Sequence, residues 1–104
     1  MEIKEAQQKT DELIKHYGDY WEPLSMLARA TEEVGELSRA MNIKYGGKKS
    51  KGSQDGRQIG EELSDVLFTI LAIANSEKID LTKEFEAKIK KDYEKAKIYE
   101  GGKN

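Results

Sequence analysis

Glu32, Glu33 and Glu36 stand close together in this chain, and Glu61, Glu62 and Asp65 repeat the pattern further on. Both groups lie inside apolar repeats of helical period. At about 100° of rotation per residue, Glu33 and Glu36 share one edge of their helix, and Glu62 and Asp65 share the matching edge of theirs. Glu32 and Glu61 stand just behind them. Acidic residues at this spacing often make a solvated helix face, and 37% of the chain is charged. Like charges three residues apart cost helix stability, however, and a merely solvated face would interleave lysine among them. The recurrence in one phase on two helices points to a site. Arg29 lies near the first edge as a partner for Glu32 or Glu33, but one arginine cannot balance the whole set.

The chemistry depends on where these edges lie relative to the core. Met26, Leu27, Ala30, Val34, Leu37 and Met41 form an apolar arc on the first of the two helices. Ile59, Leu63, Val66, Leu67, Ile70, Ile73 and Ala74 form one on the second. The acids occupy the same flank of each arc. Antiparallel packing of arc on arc brings both acidic edges to one side, whereas parallel packing separates them. The carboxylates of Glu33, Glu36, Glu62 and Asp65 then converge, and their repulsion calls for a cation between them. Carboxylate oxygens suit a hard divalent ion, Mg²⁺ or Mn²⁺, and the chain offers no soft ligand.

Four helices are expected to position these residues, and no strand pattern is visible, so the fold is all-α. The first runs from about Ile3 to Tyr17, ended by Gly18. Tyr20-Trp21-Glu22-Pro23 leads into the second, with Pro23 suited to its first turn, and that helix reaches about Tyr45. The run from Gly46 to Gly56, rich in glycine and small polar residues, reads as a loop long enough to return the chain antiparallel. The third helix spans about Arg57 to Ser76. Asp80 caps a fourth that reaches about Tyr99. On the fourth helix Lys88, Lys91 and Lys95 lie on the flank that carries acids on the two before it. An antiparallel return would set that edge near the acids, although the lysines equally describe a solvated face.

A chain of 104 residues makes a single domain, 1–104, with a modest core, so self-association is expected. With no cysteine there is neither a disulfide framework nor a thiolate nucleophile, which fits a reducing compartment. Met1-Glu2-Ile3-Lys4-Glu5 lacks the pattern of a signal peptide, and no apolar run approaches membrane-spanning length. A cytoplasmic protein without a membrane partner is the expectation. A net charge of -2 argues against nucleic acid as the main partner. The one histidine, His16, lacks the Glu-x-x-His spacing of di-iron bundles and reads as a surface residue. The glycine loop is not a phosphate-binding Walker sequence, and no serine has a histidine suggesting a triad. A carboxylate cage flanked by lysines matches a polyphosphate substrate best.

Glu32-Glu33-x-x-Glu36 followed by Glu62-x-x-Asp65 resembles the signature of the all-α nucleotide pyrophosphohydrolases of the MazG-like group, related to dimeric dUTPases and phosphoribosyl-ATP pyrophosphohydrolase. The flanking text agrees: Pro23-Leu24-Ser25-Met26-Leu27-Ala28-Arg29-Ala30-Thr31 before the first motif, Asp65-Val66-Leu67-Phe68 after the second, then Ala74-Asn75-Ser76. The resemblance covers roughly residues 12–97 and is to the short stand-alone members. It implies a four-helix bundle completed by homo-oligomerisation as a dimer or tetramer. It also implies Mg²⁺-dependent hydrolysis of a nucleoside triphosphate to the monophosphate and pyrophosphate. Glu33, Glu36, Glu62 and Asp65 would be the ligands, and Glu32 and Glu61 would support them or hold another metal. One carboxylate would orient or deprotonate the attacking water. Lys88, Lys91 and Lys95 become candidates for the phosphate tail, and Lys48-Lys49-Ser50-Lys51 a loop that closes over it. The last helix departs from the group, with Asp92 and Lys95 where Asn or Arg is frequent.

Trp21 and Tyr20 are candidates for stacking on a nucleobase, with Phe68 one turn beyond Asp65, and packing against the first helix or another subunit is the competing role. Asn75 either hydrogen-bonds a base or ribose, or ends the third helix. Two other readings remain: phosphoribosyl-ATP pyrophosphohydrolase, whose motif contexts differ from Leu37-Ser38-Arg39 and Asp65-Val66-Leu67-Phe68, and a non-catalytic helical module that holds nucleotide or metal.

Overall fold

The computed structural model describes residues 1–46 and 58–101, with side chains through Ile98. Four helices follow one another: α1 (Ile3–His16), α2 (Pro23–Tyr45), α3 (Ile59–Ser76) and α4 (Leu81–Gly101). The described residues contain no strand. None of these helices is long and apolar enough to cross a membrane. The expected closing loop, including Lys48, Lys49, Ser50 and Lys51, lies outside the described residues.

The helix ends have local causes. α1 stops where Gly18 takes a φ of 136°, a backbone region that side chains avoid. Pro23 opens α2, its fixed φ suiting a position whose N–H has no partner within the helix. At the end of α3, Ile79 N–H reaches Ala74 O at 2.8 Å and Lys78 N–H reaches Asn75 O at 3.1 Å. This is a Schellman closure with Lys78, at φ 61°, in the place usually given to glycine. Asp80 then caps α4 as the sequence implied, its Oδ1 accepting from Thr82 N–H at 3.0 Å and Lys83 N–H at 3.3 Å.

α3 is the central helix, packed against α2 on one side and α1 on the other, and α1 in turn carries α4. Gln7 ties these parts together. Its side-chain amide donates to Asn75 Oδ1 at 3.0 Å and to Ile79 O at 2.9 Å, and its oxygen accepts from Leu81 N–H at 3.0 Å. Asn75 answers by donating to Gln7 O at 2.8 Å. The first turn of α4 thus receives a donor's partner from α1 as well as from Asp80.

The helix faces in contact differ from the expected ones. On α2, Met26, Ala30, Glu33, Leu37 and Ala40 are covered at an alternation of four and three residues, and Ile43 adds a covered position near the end of the helix. On α3, Ile59, Glu62, Val66, Thr69 and Ile73 repeat the same rhythm. The seam therefore keeps one edge of each expected arc (Met26, Ala30 and Leu37; Ile59, Val66 and Ile73) and is turned towards the acidic flank, which adds Glu33 and Glu62 to it. Leu27, Val34 and Met41 on α2, and Leu63, Leu67 and Ile70 on α3, are left exposed. The fourth helix is a second correction. It packs on α1 near its own start, and residues 83–98 are all exposed. Its lysines do not return to the acidic edge within one chain.

Candidate active site

Because α2 and α3 are antiparallel, Glu33 meets Glu62 and Asp65, while seven residues earlier Met26 faces the same space as Thr69 and Ala72. Oxygens of Glu33, Glu62 and Asp65 lie within 4.8 Å of one another. Glu62 is 1% exposed and Glu33 7%, an unusual placement for two glutamates. Burying like charges side by side is costly, and it is relieved when a cation shares their oxygens. Three hard oxygen donors from two rigid helices suit a divalent metal of the Mg²⁺ type.

The other predicted acids stand around this group. Glu36, one turn further along α2, is exposed and outside the cluster of three. Glu32 and Glu61 are exposed behind it. Arg29 does join the first motif, with Nη2 3.2 Å from Glu33 Oε1 and Nη1 3.7 Å from Glu32 Oε2.

A cleft of about 430 Å³ opens beside the carboxylates. Glu33, Asp65 and Arg29 form its charged end. Its other walls carry Tyr17, Tyr20, Trp21 and Phe68, with Leu13, Ile14 and Met26 between them. The aromatic turn thus lines the cleft, and Trp21 is exposed at it. A charged end and an aromatic wall are what a phosphorylated, ring-bearing ligand requires.

Tyr20 is fixed from beneath. Its hydroxyl donates to Asp11 Oδ1 at 2.5 Å, and Asp11 also holds Lys15 at 3.3 Å. Burial and the hydrogen bond to Asp11 push the Tyr20 hydroxyl up to about 12, with a hydrogen bond to Asn75 acting against them. The bond from Tyr20, with Lys15 assisting, holds Asp11 below the ordinary carboxylate value. Asn75 is half-buried in this network and is not among the residues lining the cleft. Its side chain joins α1 to α3, a role that neither of the alternatives posed for it described.

Lys88, Lys91 and Lys95 are exposed on α4, with Lys88 Nζ 2.9 Å from Asp92. Sequence reasoning missed Gln7, Asp11, Leu13, Ile14 and Tyr17. The apolar members lay in the helical repeat of α1, but nothing in the spacing of Gln7 or Asp11 announced partners 68 and 9 residues away.

Residues 21–97 match the MazG nucleotide pyrophosphohydrolase domain. YpjD of Bacillus subtilis (strain 168) is 42% identical over 80 residues, covering 76% of this chain and 72% of that protein. The crystal structure of YpjD superposes with a TM-score of 0.78 at 37% identity, covering 88% of this chain and 92% of that one. The crystal structure of a Bacillus-conserved MazG protein, a nucleotide pyrophosphohydrolase, gives 0.74 at 38%, covering 88% of each chain. That of iMazG from Vibrio DAT 722 gives 0.63 at 29%, covering 89% of this chain and 99% of that one.

Proposed function

This chain belongs to the MazG nucleotide pyrophosphohydrolase family, and from that premise we propose that it hydrolyses a nucleoside triphosphate, with Mg²⁺, to the monophosphate and pyrophosphate. The setting is housecleaning of a cytoplasmic nucleotide pool. The observation that carries this reading is the convergence of Glu33, Glu62 and Asp65 within 4.8 Å at the charged end of a cleft whose other walls are aromatic.

Water attacks the α-phosphorus, the bond to the bridging oxygen of the α–β anhydride breaks, and pyrophosphate leaves. Glu33, Glu62 and Asp65 would hold a divalent ion such as Mg²⁺, with Glu36 as a further candidate ligand, and the ion would supply charge neutralisation and a lowered pKa for a water. Glu32 and Glu61 support this set or hold another metal, and one of the carboxylates orients the water or takes its proton. Trp21 and its aromatic neighbours hold the base, so that the α-phosphate is fixed relative to the carboxylates. Lys88, Lys91 and Lys95 meet the phosphate tail only if another copy of the chain brings α4 to this edge.

The test is to incubate the purified protein with a panel of ordinary and modified nucleoside triphosphates, and with phosphoribosyl-ATP, in Mg²⁺ or EDTA, resolving the products by ion exchange. Metal-dependent release of monophosphate and pyrophosphate is the expected result. Binding without turnover of any member would favour the non-catalytic module.

A further inference from the structure

Arg29 occupies a position that the reaction outlined above leaves unused. Arg29 lines the cleft that the aromatic residues also line, its guanidinium meets the buried carboxylate of Glu33, and its side chain is half-exposed, with room to turn. Its partners are unequal. Glu32 is a solvated carboxylate at 3.7 Å, whereas Glu33 is a buried member of the three-carboxylate cluster at 3.2 Å. A divalent cation bound by that cluster places two positive charges beside the guanidinium and draws on the same carboxylate, which weakens the Arg29 contact. A nucleoside triphosphate entering the cleft offers several anionic oxygens whose geometry suits the planar guanidinium.

We propose that Arg29 is a two-position cation, neutralising Glu33 in the substrate-free protein and turning to the substrate's phosphates once a divalent ion has taken that carboxylate. The proposal rests on the metal and triphosphate reading of the site. By linkage, Arg29 weakens the binding of metal alone and strengthens that of the metal–nucleotide complex, so that the two enter together. This favours occupation of the site by loaded substrate over occupation by free metal.

The test compares wild type with Arg29→Met and Arg29→Lys, each first checked for helical content by circular dichroism. Mn²⁺ binding without nucleotide is measured by electron paramagnetic resonance, and KM is measured with whichever triphosphate the panel selects. Arg29→Met should bind Mn²⁺ roughly threefold more tightly, the worth of a half-exposed ion pair. Its KM should rise about tenfold, as for loss of a charge-assisted contact. Arg29→Lys, which keeps the charge near Glu33 but loses the planar fork, should match wild type in Mn²⁺ binding and still show a raised KM. Equal or weaker Mn²⁺ binding by Arg29→Met, or tighter binding with an unchanged KM, overturns the proposal alone. If neither wild type nor variant binds Mn²⁺, it falls together with the metal-site reading.

Discussion

Glu62, only 1% exposed beside two other carboxylates, is the residue on which the proposed metal site turns. Replacing it with the isosteric Gln removes a charge while keeping the shape. We expect Glu62→Gln to lose turnover by about a hundredfold or more, as when one preorganised electrostatic contact is removed. Wild type should melt higher in millimolar Mg²⁺ than in EDTA, by linkage, and the variant should lose that rise. Wild-type melting that ignores Mg²⁺, with Glu36→Gln equally indifferent, would count against the metal site. Tyr20 supports a second test at this scale. Its folded pKa, pushed up to about 12, exceeds that of the unfolded chain, so its stabilising contribution is full below about pH 10 and is lost as pH rises towards 12. Asp11, held low, contributes above its ordinary pKa and loses its share in acid as it protonates. Tyr20→Phe should therefore melt below wild type near neutrality, with the gap closing at both extremes. A gap independent of pH would show that the hydroxyl contact adds nothing.

Among the elements, the helix boundaries were legible because each has a local chemical signal: Gly18, Pro23 and Asp80 each do what their residue type dictates. Asp80→Ala should cost about 1 kcal/mol for the lost cap. In a chain of this size that lowers the melting temperature by about 4–8 °C. A thermal scan of the variant checks it, and the effect should be partial, because Gln7 still accepts from Leu81 N–H. Antiparallel pairing of the acidic helices was legible too, since it follows from chain order and the shared phase of the motifs. What the pattern did not convey was which face packs on which. Periodicity finds the most apolar arc, yet Val34 and Leu67 on that arc are 50% and 52% exposed while Glu33 and Glu62 fill the seam. Hydrophobicity marks what must be covered eventually, and it does not say whether the cover comes from the same chain. The fourth helix was ambiguous for a related reason: its lysine edge fitted either the site or a solvated face, and no local signal says where a helix leaving a tight turn will dock.

The whole molecule accordingly looks unfinished as a single copy. Its buried apolar side chains are few, namely Met26, Ala40, Leu71, Ala72 and Ala74 among the described residues. Against these stand Leu27, Val34, Met41, Leu63, Leu67 and Ile70 on the outer faces of α2 and α3, and Phe85, Ile89 and Tyr93 on α4, all exposed. The Cα radius of gyration is 17.8 Å, whereas a compact chain of this length needs about 13 Å. Burying a fully exposed large aliphatic side chain contributes roughly 1.5–3 kcal/mol, and each of these six, about half exposed, has about half of that left to gain from a second copy. We expect a mass in light scattering of at least twice the 11.8 kDa chain, and a melting temperature that rises with protein concentration. Leu67→Lys, at the centre of that surface and away from the three clustered carboxylates, should shift the protein towards a monomer and lower its stability. If it also abolishes turnover while leaving Mn²⁺ binding intact, the second copy contributes to the substrate side of the site. A wild-type protein that runs as a monomer, with melting independent of concentration, would remove both the oligomer and any role for Lys88, Lys91 and Lys95 at the carboxylates.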